Sequence, residues 1–325
     1  MLVARKYFMS LRTVFQLLLL TVICMACMPG KSELFLRGLE SYDEGKYRTA
    51  IIYFTEAVQK DPGNAELYFH RAKAKMQLED CKGAVDDYSK AIVLDKTVTE
   101  YFINRGLARI ACQNYFEAIF DFDYAEVLDS ANVQIYFNRA YAKELVKDYP
   151  GALEDYTVAI NLDSANFKYF INRGILYSFL NNSQNAIEDF SSAILLNPDN
   201  ILAYKSRGDE YIQQGQYPSA LDDYNKALEI QPSDIDLYYS RAEVKIGMNE
   251  FLAAAVDYTK IISLDSTNAT AYYNRGICYA NLNMKQNACD DFVKSGELGL
   301  FKAYEVIKEY CEAEDKEKAK GKLKK

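Results

Sequence analysis

Eight consecutive segments of this chain are 34 residues long and follow one another without insertion or deletion. Counted from Lys31, every segment has Arg at position 7 and Ala at position 20. A fixed period of this length is typical of arrays in which each unit packs against its neighbours. We therefore predict one array over most of the 325 residues instead of two ordinary domains. The repeats are 31–64, 65–98, 99–132, 133–166, 167–200, 201–234, 235–268 and 269–302.

Apolar and small residues divide each repeat into two helix-length runs joined by a short turn. Position 4 is aromatic or Leu, position 8 is Gly or Ala, and position 24 is Phe or Tyr. A small residue on one helix allows close approach of an aromatic ring from the other. The pattern predicts an all-α chain of helical hairpins.

The sixth repeat combines Tyr204, Gly208, Ala220, Tyr224 and Pro232 at positions 4, 8, 20, 24 and 32. In this the chain resembles the tetratricopeptide repeat family. The resemblance covers 31–302 and implies an α-α superhelix, or solenoid, of eight hairpins. It also implies that the first helices line an inner, concave wall. The segment 303–325 is predicted to be a capping helix, to about residue 320, with a charged tail.

Arg at position 7 lies on the stripe that is predicted to face the core, where a guanidinium needs a matching partner. Position 23 is Asp in seven of the eight repeats. We predict an Arg–Asp pair between the helices of each hairpin, such as Arg139 with Asp155 and Arg173 with Asp189. These pairs are interpreted as structural and not as a ligand site.

A second stripe on the first helices is predicted to face a binding groove. Position 5 is mostly aromatic or aliphatic, although such residues also pack against the next repeat. Position 6 carries an amide row that is similar to the asparagine ladder of O-linked N-acetylglucosamine transferases and can bind an extended peptide backbone. The alternative is polar residues that only face solvent. The predicted groove residues are His70, Asn104, Asn138, Asn172, Asn274, Phe69, Ile103, Phe137, Tyr141 and Ile171.

The chain has a net charge of −8 at pH 7. Residues 1–26 hold three basic residues and no acid, and the tail from Glu312 holds six Lys against four acids, which leaves −13 on the repeats. Such a surface repels phosphate, so we expect no nucleic-acid partner. A basic or neutral protein partner fits better, and charge kept for solubility is the alternative.

Residues 1–26 have the parts of an export signal, with a basic start, a short apolar run and small residues at the end. Ala26 before Cys27 resembles the end of a bacterial lipoprotein signal, in which the Cys receives lipid. Cys24 stands where that signal has an aliphatic residue, so plain secretion and an uncleaved anchor stay open. We predict an exported protein of the cell envelope or periplasm, tethered to a membrane at Cys27, with residues 27–30 as a linker.

Five cysteines follow Cys27, an odd number without regular spacing, and they provide no paired metal-ligand signature. Such a set is a poor framework for disulfides. Cys278 and Cys289 are predicted to be buried free thiols on the two helices of the last repeat, and a close approach of the two to each other is the alternative.

The sequence holds one His, no regular metal-ligand spacing and no Gly-rich phosphate loop in the repeats. We predict a non-catalytic protein-interaction scaffold without a cofactor or metal, which binds an extended segment of a partner. One alternative is an assembly factor for outer-membrane or secretion complexes, and another is the substrate-recognition subunit of an enzyme complex. The sequence does not determine the partner, the membrane or the oligomeric state.

Overall fold

The computed structural model describes residues 32–312, which form helices and turns without a strand. Each repeat contains two helices, and the two pack together in the seven repeats that lie within one compact unit. The predicted all-α fold class is confirmed. The hairpin helices are α1 (Glu33–Asp43), α2 (Tyr47–Lys60), α3 (Ala65–Met76), α4 (Cys81–Leu94), α5 (Thr99–Ala111), α6 (Tyr115–Leu128), α7 (Val133–Leu145), α8 (Tyr149–Leu162), α9 (Phe167–Phe179), α10 (Ser183–Leu196), α11 (Ile201–Gln213), α12 (Tyr217–Ile230), α13 (Ile235–Gly247), α14 (Phe251–Leu264), α15 (Ala269–Asn281) and α16 (Lys285–Glu297).

The described residues group into two compact units, the first ending at Asp148 and the second beginning at Tyr149. This boundary falls inside the fourth repeat, between α7 and α8. The same helical hairpin is used on both sides of it. Since the repeats of an array contact mainly their neighbours, a division of the contacts does not require a change of fold.

The turn inside each hairpin depends on a left-handed residue at position 15. All eight residues at this position have φ between 58° and 75°. Only Gly45 and Gly215 are glycines, and Asn181, Asn249 and Asn283 belong to the residue type that tolerates this region best after glycine. The left-handed residue ends the first helix and turns the chain into the second.

The position-20 Ala and the position-24 ring, both on the second helix, belong to the core of every repeat. All sixteen of these residues are buried. In four repeats the ring is Phe and position 8 is Gly. A Cβ on Gly106 would lie 2.8 Å from the ring of Phe122, so the glycine is required for the close approach. Three of the four repeats with Tyr have Ala at position 8, and Gly208, the exception, would hold a Cβ 3.1 Å from Tyr224.

The end of the array is covered by α17 (Lys302–Val306) and a π-helical turn, Ile307–Cys311. The ring of Tyr310 meets Phe292 of the last hairpin edge-on, with 6.4 Å between the ring centroids. Apart from Lys302, these elements lie within the segment predicted to be the cap, which was expected to begin at residue 303. Its continuation to about residue 320 lies outside the described residues, as do the export signal and Cys27.

Two disulfides join neighbouring elements, Cys81 to Cys112 and Cys289 to Cys311. The prediction that Cys289 is a free thiol is wrong, because it pairs with the cap and not with Cys278. Cys278 is free and buried, as predicted, and burial raises the pKa of its thiol to about 11. The irregular spacing hid both disulfides, since each one connects different positions of two consecutive units.

Candidate functional site

The Arg–Asp pair is present in the six repeats that have both residues within one compact unit. In the fifth repeat, Arg173 donates from Nε and Nη2 to the two carboxylate oxygens of Asp189, at 2.8 and 2.7 Å. This bidentate geometry fixes the register of the two helices. In the first repeat, which has no Asp at position 23, Arg37 is exposed and pairs with Glu33 at 2.8 Å. The pairs are Arg71–Asp87, Arg105–Asp121, Arg173–Asp189, Arg207–Asp223, Arg241–Asp257 and Arg275–Asp291.

Nη1 of each of these six paired arginines donates to the preceding repeat, a contact that the sequence analysis missed. Nη1 of Arg173 donates to Oγ1 of Thr157 at 2.8 Å, and Nη1 of Arg241 donates to Oδ1 of Asn225 at 2.8 Å. The acceptor stands at position 25 of the preceding repeat, a position that is Thr, Ser, Asn or Asp in the first seven repeats. This polar row was the signal for the contact. One guanidinium thus joins the two helices of its own hairpin to the hairpin before it.

Arg139 is the buried arginine of the fourth repeat and belongs to the first unit. Its Nη1 lies 2.7 Å from Asp123 and 2.5 Å from Glu126, both on α6. Asp155 lies in the second unit, and its pairing with Arg139 stays a prediction.

The electrostatics of these pairs are those of buried structural ion pairs. Hydrogen bonds to Asp189 hold the pKa of the Arg173 guanidinium above its usual value, and Asp223 does the same for Arg207. Burial raises the pKa of the carboxyl groups of Asp189 and Asp223, and the paired arginines oppose that rise. The guanidinium donors of these paired arginines are thus directed at acceptors within the protein.

Three of the predicted groove residues do not face a ligand. Phe69, Ile103 and Ile171 are buried, which removes them from the binding surface. Phe69 shows the reason, since its ring centroid lies 5.7 Å from that of Tyr88 and 5.0 Å from that of Tyr101, in the next repeat. Position 5 therefore packs between repeats. Phe137, at the same position, is partly buried.

The amide row at position 6 is partly used within the chain. Nδ2 of Asn104 donates to the carbonyl of Glu100 at 2.8 Å, and Nδ2 of Asn172 donates to the carbonyl of Lys168 at 2.7 Å. Asn274 hydrogen-bonds to Tyr258 of the preceding repeat. All three, and Asn138 with them, are partly buried. The row is therefore less available to a peptide than the sequence suggests.

His70 lies in an aromatic cluster. Its ring centroid is 5.2 Å from that of Phe35 and 5.3 Å from that of Phe69, both in edge contact. Nε2 lies 3.8 Å from a carboxylate oxygen of Glu66. This histidine packs between the first two repeats and occupies the place that asparagine has in four of the other repeats.

The accessible part of the inner face is formed by positions 9 and 13 of the first helices. In the first unit, Leu107 and Tyr141 at position 9 are exposed. A cavity of about 180 Å³ opens beside Leu107, and Lys73 Nζ stands in it 5.7 Å from the ring centroid of Tyr42. The cavity also contains Asn104 of the predicted groove, whereas Lys73 and Gln77 were not predicted. Its lining is Tyr42, Lys73, Met76, Gln77, Tyr88, Asn104 and Leu107.

Two features are absent from the part of the chain that the structure describes. Within 32–312, no group of three or more His, Cys, Asp or Glu side chains could hold a metal ion. Over the same residues, no helix combines the length and the apolar character needed to cross a membrane. The cavity beside Leu107 provides hydrogen-bonding and apolar groups, with Lys73 as the one cation of its lining, for contact with another molecule.

The repeated hairpins and their polar network define this chain as a helical repeat protein. Sequence models described as "TPR repeat" and "Tetratricopeptide repeat" match residues 208–247, 167–200 and 35–97. The chain thus contains tetratricopeptide repeats in these segments.

Two solved structures of repeat proteins have a similar fold. The C-terminal part of a TPR repeat-containing protein from Cytophaga hutchinsonii has a TM-score of 0.66 and 19% identity, over 74% of this chain and 98% of that one. A tetratricopeptide repeat protein from Parabacteroides merdae has a TM-score of 0.53 and 23% identity, over 76% and 96%. At this identity the likeness shows the fold alone.

The curated relatives match over short segments. Stress-induced-phosphoprotein 1 of Caenorhabditis elegans is 41% identical over 51 residues, which is 16% of each protein. The E3 ubiquitin-protein ligase TTC3 of Mus musculus is 34% identical over 64 residues, 20% of this chain and 3% of the ligase. The chain thus spans a small fraction of either relative. These matches support the repeat and carry no activity to this protein.

Proposed function

We propose that this protein is a non-catalytic interaction scaffold that binds an extended segment of a partner protein on the inner face of its first unit. The observation that carries the proposal is the cavity between the first helices of repeats 1 to 3. It is the part of the predicted groove where open space, hydrogen-bonding groups and an exposed apolar side chain occur together.

The lining supports binding of a main chain with modest side-chain preference. Gln77 and Asn104 provide amide groups, and an amide can both donate to and accept from a peptide backbone. Leu107 supplies an exposed apolar contact beside them. Lys73 gives the cavity one local positive charge on an otherwise acidic array, so an acidic or carbonyl-rich position of the segment would lie next to it.

A double variant in the cavity tests this binding mode. Gln77→Ala with Leu107→Asp should reduce capture of a partner from a membrane extract at least tenfold, because it removes an amide and places a carboxylate in the apolar contact. The control is Lys82→Ala with Asp86→Ala, on a second helix of the same unit. Capture would be compared by quantitative mass spectrometry. Equal capture by the cavity variant and the wild type would refute binding at this site.

We further propose that the protein is exported and tethered to a membrane of the cell envelope through lipid on Cys27. The signal-like segment 1–26 and two disulfides support export, since disulfides persist in oxidising compartments and are rare in a reducing cytosol. We expect the mature chain to begin at Cys27 and to carry a diacylglycerol mass. Intact mass spectrometry of the protein from its own cells checks this. An unmodified N-terminus would contradict the tether, and a retained Met1 would contradict cleavage.

A further inference from the structure

The second helix of the third repeat, α6, exposes an apolar stripe to solvent. Phe116 is 67% exposed, Phe120 70%, Tyr124 45% and Val127 82%. At about 100° per residue, these four side chains fall within an arc of about 80° on one side of the helix. They stand opposite the buried Ala118 and Phe122 of the same helix. We call these four residues the α6 stripe.

The other repeats show that a hairpin does not need this stripe. Position 22, held here by Phe120, is acidic in five of the other seven repeats. Position 26, held by Tyr124, is charged in five of them. The fold is the same in all, so the stripe contributes nothing that the hairpin requires. Exposed aromatic residues in a continuous patch are typical of an interaction surface.

The stripe is also held in place. The ring of Tyr124 stacks on Phe102 of α5, with 4.4 Å between centroids and 24° between planes. Phe102 itself is buried. A ring fixed by its own core loses little conformational freedom when a partner covers it. Tyr124 is thus a preorganised anchor within the stripe.

The charges around the stripe indicate the kind of partner. Glu117 and Asp123 are exposed and lie at its two edges on the helix. Asp123 also binds Arg139 at 2.7 Å, which holds this carboxylate at the edge. The helix carries four acids and no Lys or Arg. A partner that covers the stripe would meet the carboxylate of Glu117 at one edge and, at the other, the carboxylate of Asp123 that Arg139 shares.

We propose that the α6 stripe binds an amphipathic helix of another protein, whose apolar residues at helical spacing are bordered by Lys or Arg. Apolar anchors would pack on Phe116, Phe120 and Tyr124, and the basic residues would face Glu117 and Asp123. A second copy of this chain fits less well, because two α6 surfaces would bring these acids together. An anionic membrane surface is repelled for the same reason. The α6 stripe is separate from the inner face. A failed test of one of these two sites therefore leaves the proposal for the other unchanged.

Site-specific photocrosslinking identifies the occupant. The full chain would carry p-benzoylphenylalanine in place of Phe120 in its own cells, and a second version would carry it at Asp222, the same position in the sixth repeat. We expect an adduct at position 120 that is absent at 222, with a crosslinked peptide that has basic residues beside apolar ones. An adduct with lipid, an adduct with a second copy, an acidic segment or no adduct above the control would overturn the proposal.

A binding measurement with the crosslinked segment, made as a synthetic peptide, tests the energetics. Phe116→Gln with Phe120→Gln should weaken its binding about 30-fold, the effect of losing one interface hot spot. Asp86→Asn is the matched control at position 22 of the second repeat and should leave the affinity within twofold. Both residues replaced in the double variant are exposed, so far-UV circular dichroism should be unchanged. Unchanged affinity of the folded double variant would overturn the assignment.

Discussion

Replacing Asp257 with alanine should lower the free energy of unfolding by about 3–5 kcal/mol, the cost of leaving buried charge without its partner. Asp257 is 1% exposed and accepts hydrogen bonds from two cations. Arg241 donates from Nε at 3.1 Å and from Nη2 at 2.5 Å, and Lys245 donates from Nζ at 2.7 Å. Alanine would leave a guanidinium and an ammonium together in the hairpin, with repulsion added to desolvation.

The control for this prediction is Asp222→Ala, an exposed acid next to the paired Asp223 in the sixth repeat. Its loss should change stability by less than about 0.5 kcal/mol, as is usual for surface positions. Urea denaturation followed by far-UV circular dichroism would compare the two. Because a repeat array can unfold in parts, hydrogen exchange of α13 to α15 should show the loss in the seventh repeat. A loss below 1 kcal/mol for Asp257→Ala would contradict the structural role of the pair.

A variant that removes all three charges of this site separates the effect of unpaired charge from that of side-chain packing. Replacing Arg241 and Lys245 with Met and Asp257 with Leu removes the cations and the anion together, and leaves nothing charged in the site. We expect this triple variant to be more stable than Asp257→Ala alone. If it were equally unstable, the loss would come from side-chain packing and not from unpaired charge.

The repeat itself and the Arg–Asp pair could be predicted because each depends on residues at fixed positions of one hairpin. Opposite charges such as Arg173 and Asp189 recur 16 residues apart on two helices that must pack together. The hydrogen bond from Nη1 of the arginine was missed because its acceptor changes between Thr157, Ser191 and Asn225 and lies in another repeat. Similar chemistry in different residue types gives a weak pattern.

The binding residues were harder to predict because burial at position 5 depends on how consecutive hairpins approach each other. Helical spacing places Phe69 on the inner side of its own hairpin, and spacing alone cannot say that Tyr101 covers it. The angle and distance between neighbouring repeats decide that result. Position 9, one turn further along, extends past the contact, which is why Leu107 and Tyr141 stay exposed.

The disulfides depend on the same geometry between repeats. Cys81 begins the second helix of its repeat and Cys112 follows the first helix of the next, 31 residues away. At the corresponding junction in the second unit, Tyr149 meets Phe179 with 5.2 Å between ring centroids. The junction therefore brings together the start of one helix and the end of another. A cysteine pair occupies this junction in one unit and an aromatic pair in the other. The spacing of the cysteines therefore follows no rule within a single repeat.

Replacing Cys81 and Cys112 with Ser should lower the free energy of unfolding by about 4 kcal/mol, because the disulfide closes a loop of 31 residues in the unfolded chain. Urea denaturation of the wild type and the variant, each with and without dithiothreitol, measures it. Without reductant the variant should be the less stable of the two. Reduction should remove most of that difference. The wild type then loses both disulfides and the variant loses Cys289–Cys311, so neither protein keeps a crosslink.

The buried thiol supplies the control for this experiment. Cys278→Ala removes a cysteine that forms no disulfide. The stability of this variant should therefore fall on reduction by as much as that of the wild type. A wild type that is indifferent to reductant would contradict the disulfides. In a reducing compartment this chain would fold without either crosslink and would lose their contribution to stability. A chain that is more stable in an oxidising environment is adapted to one, and the reductant-dependent loss therefore bears directly on the proposed export.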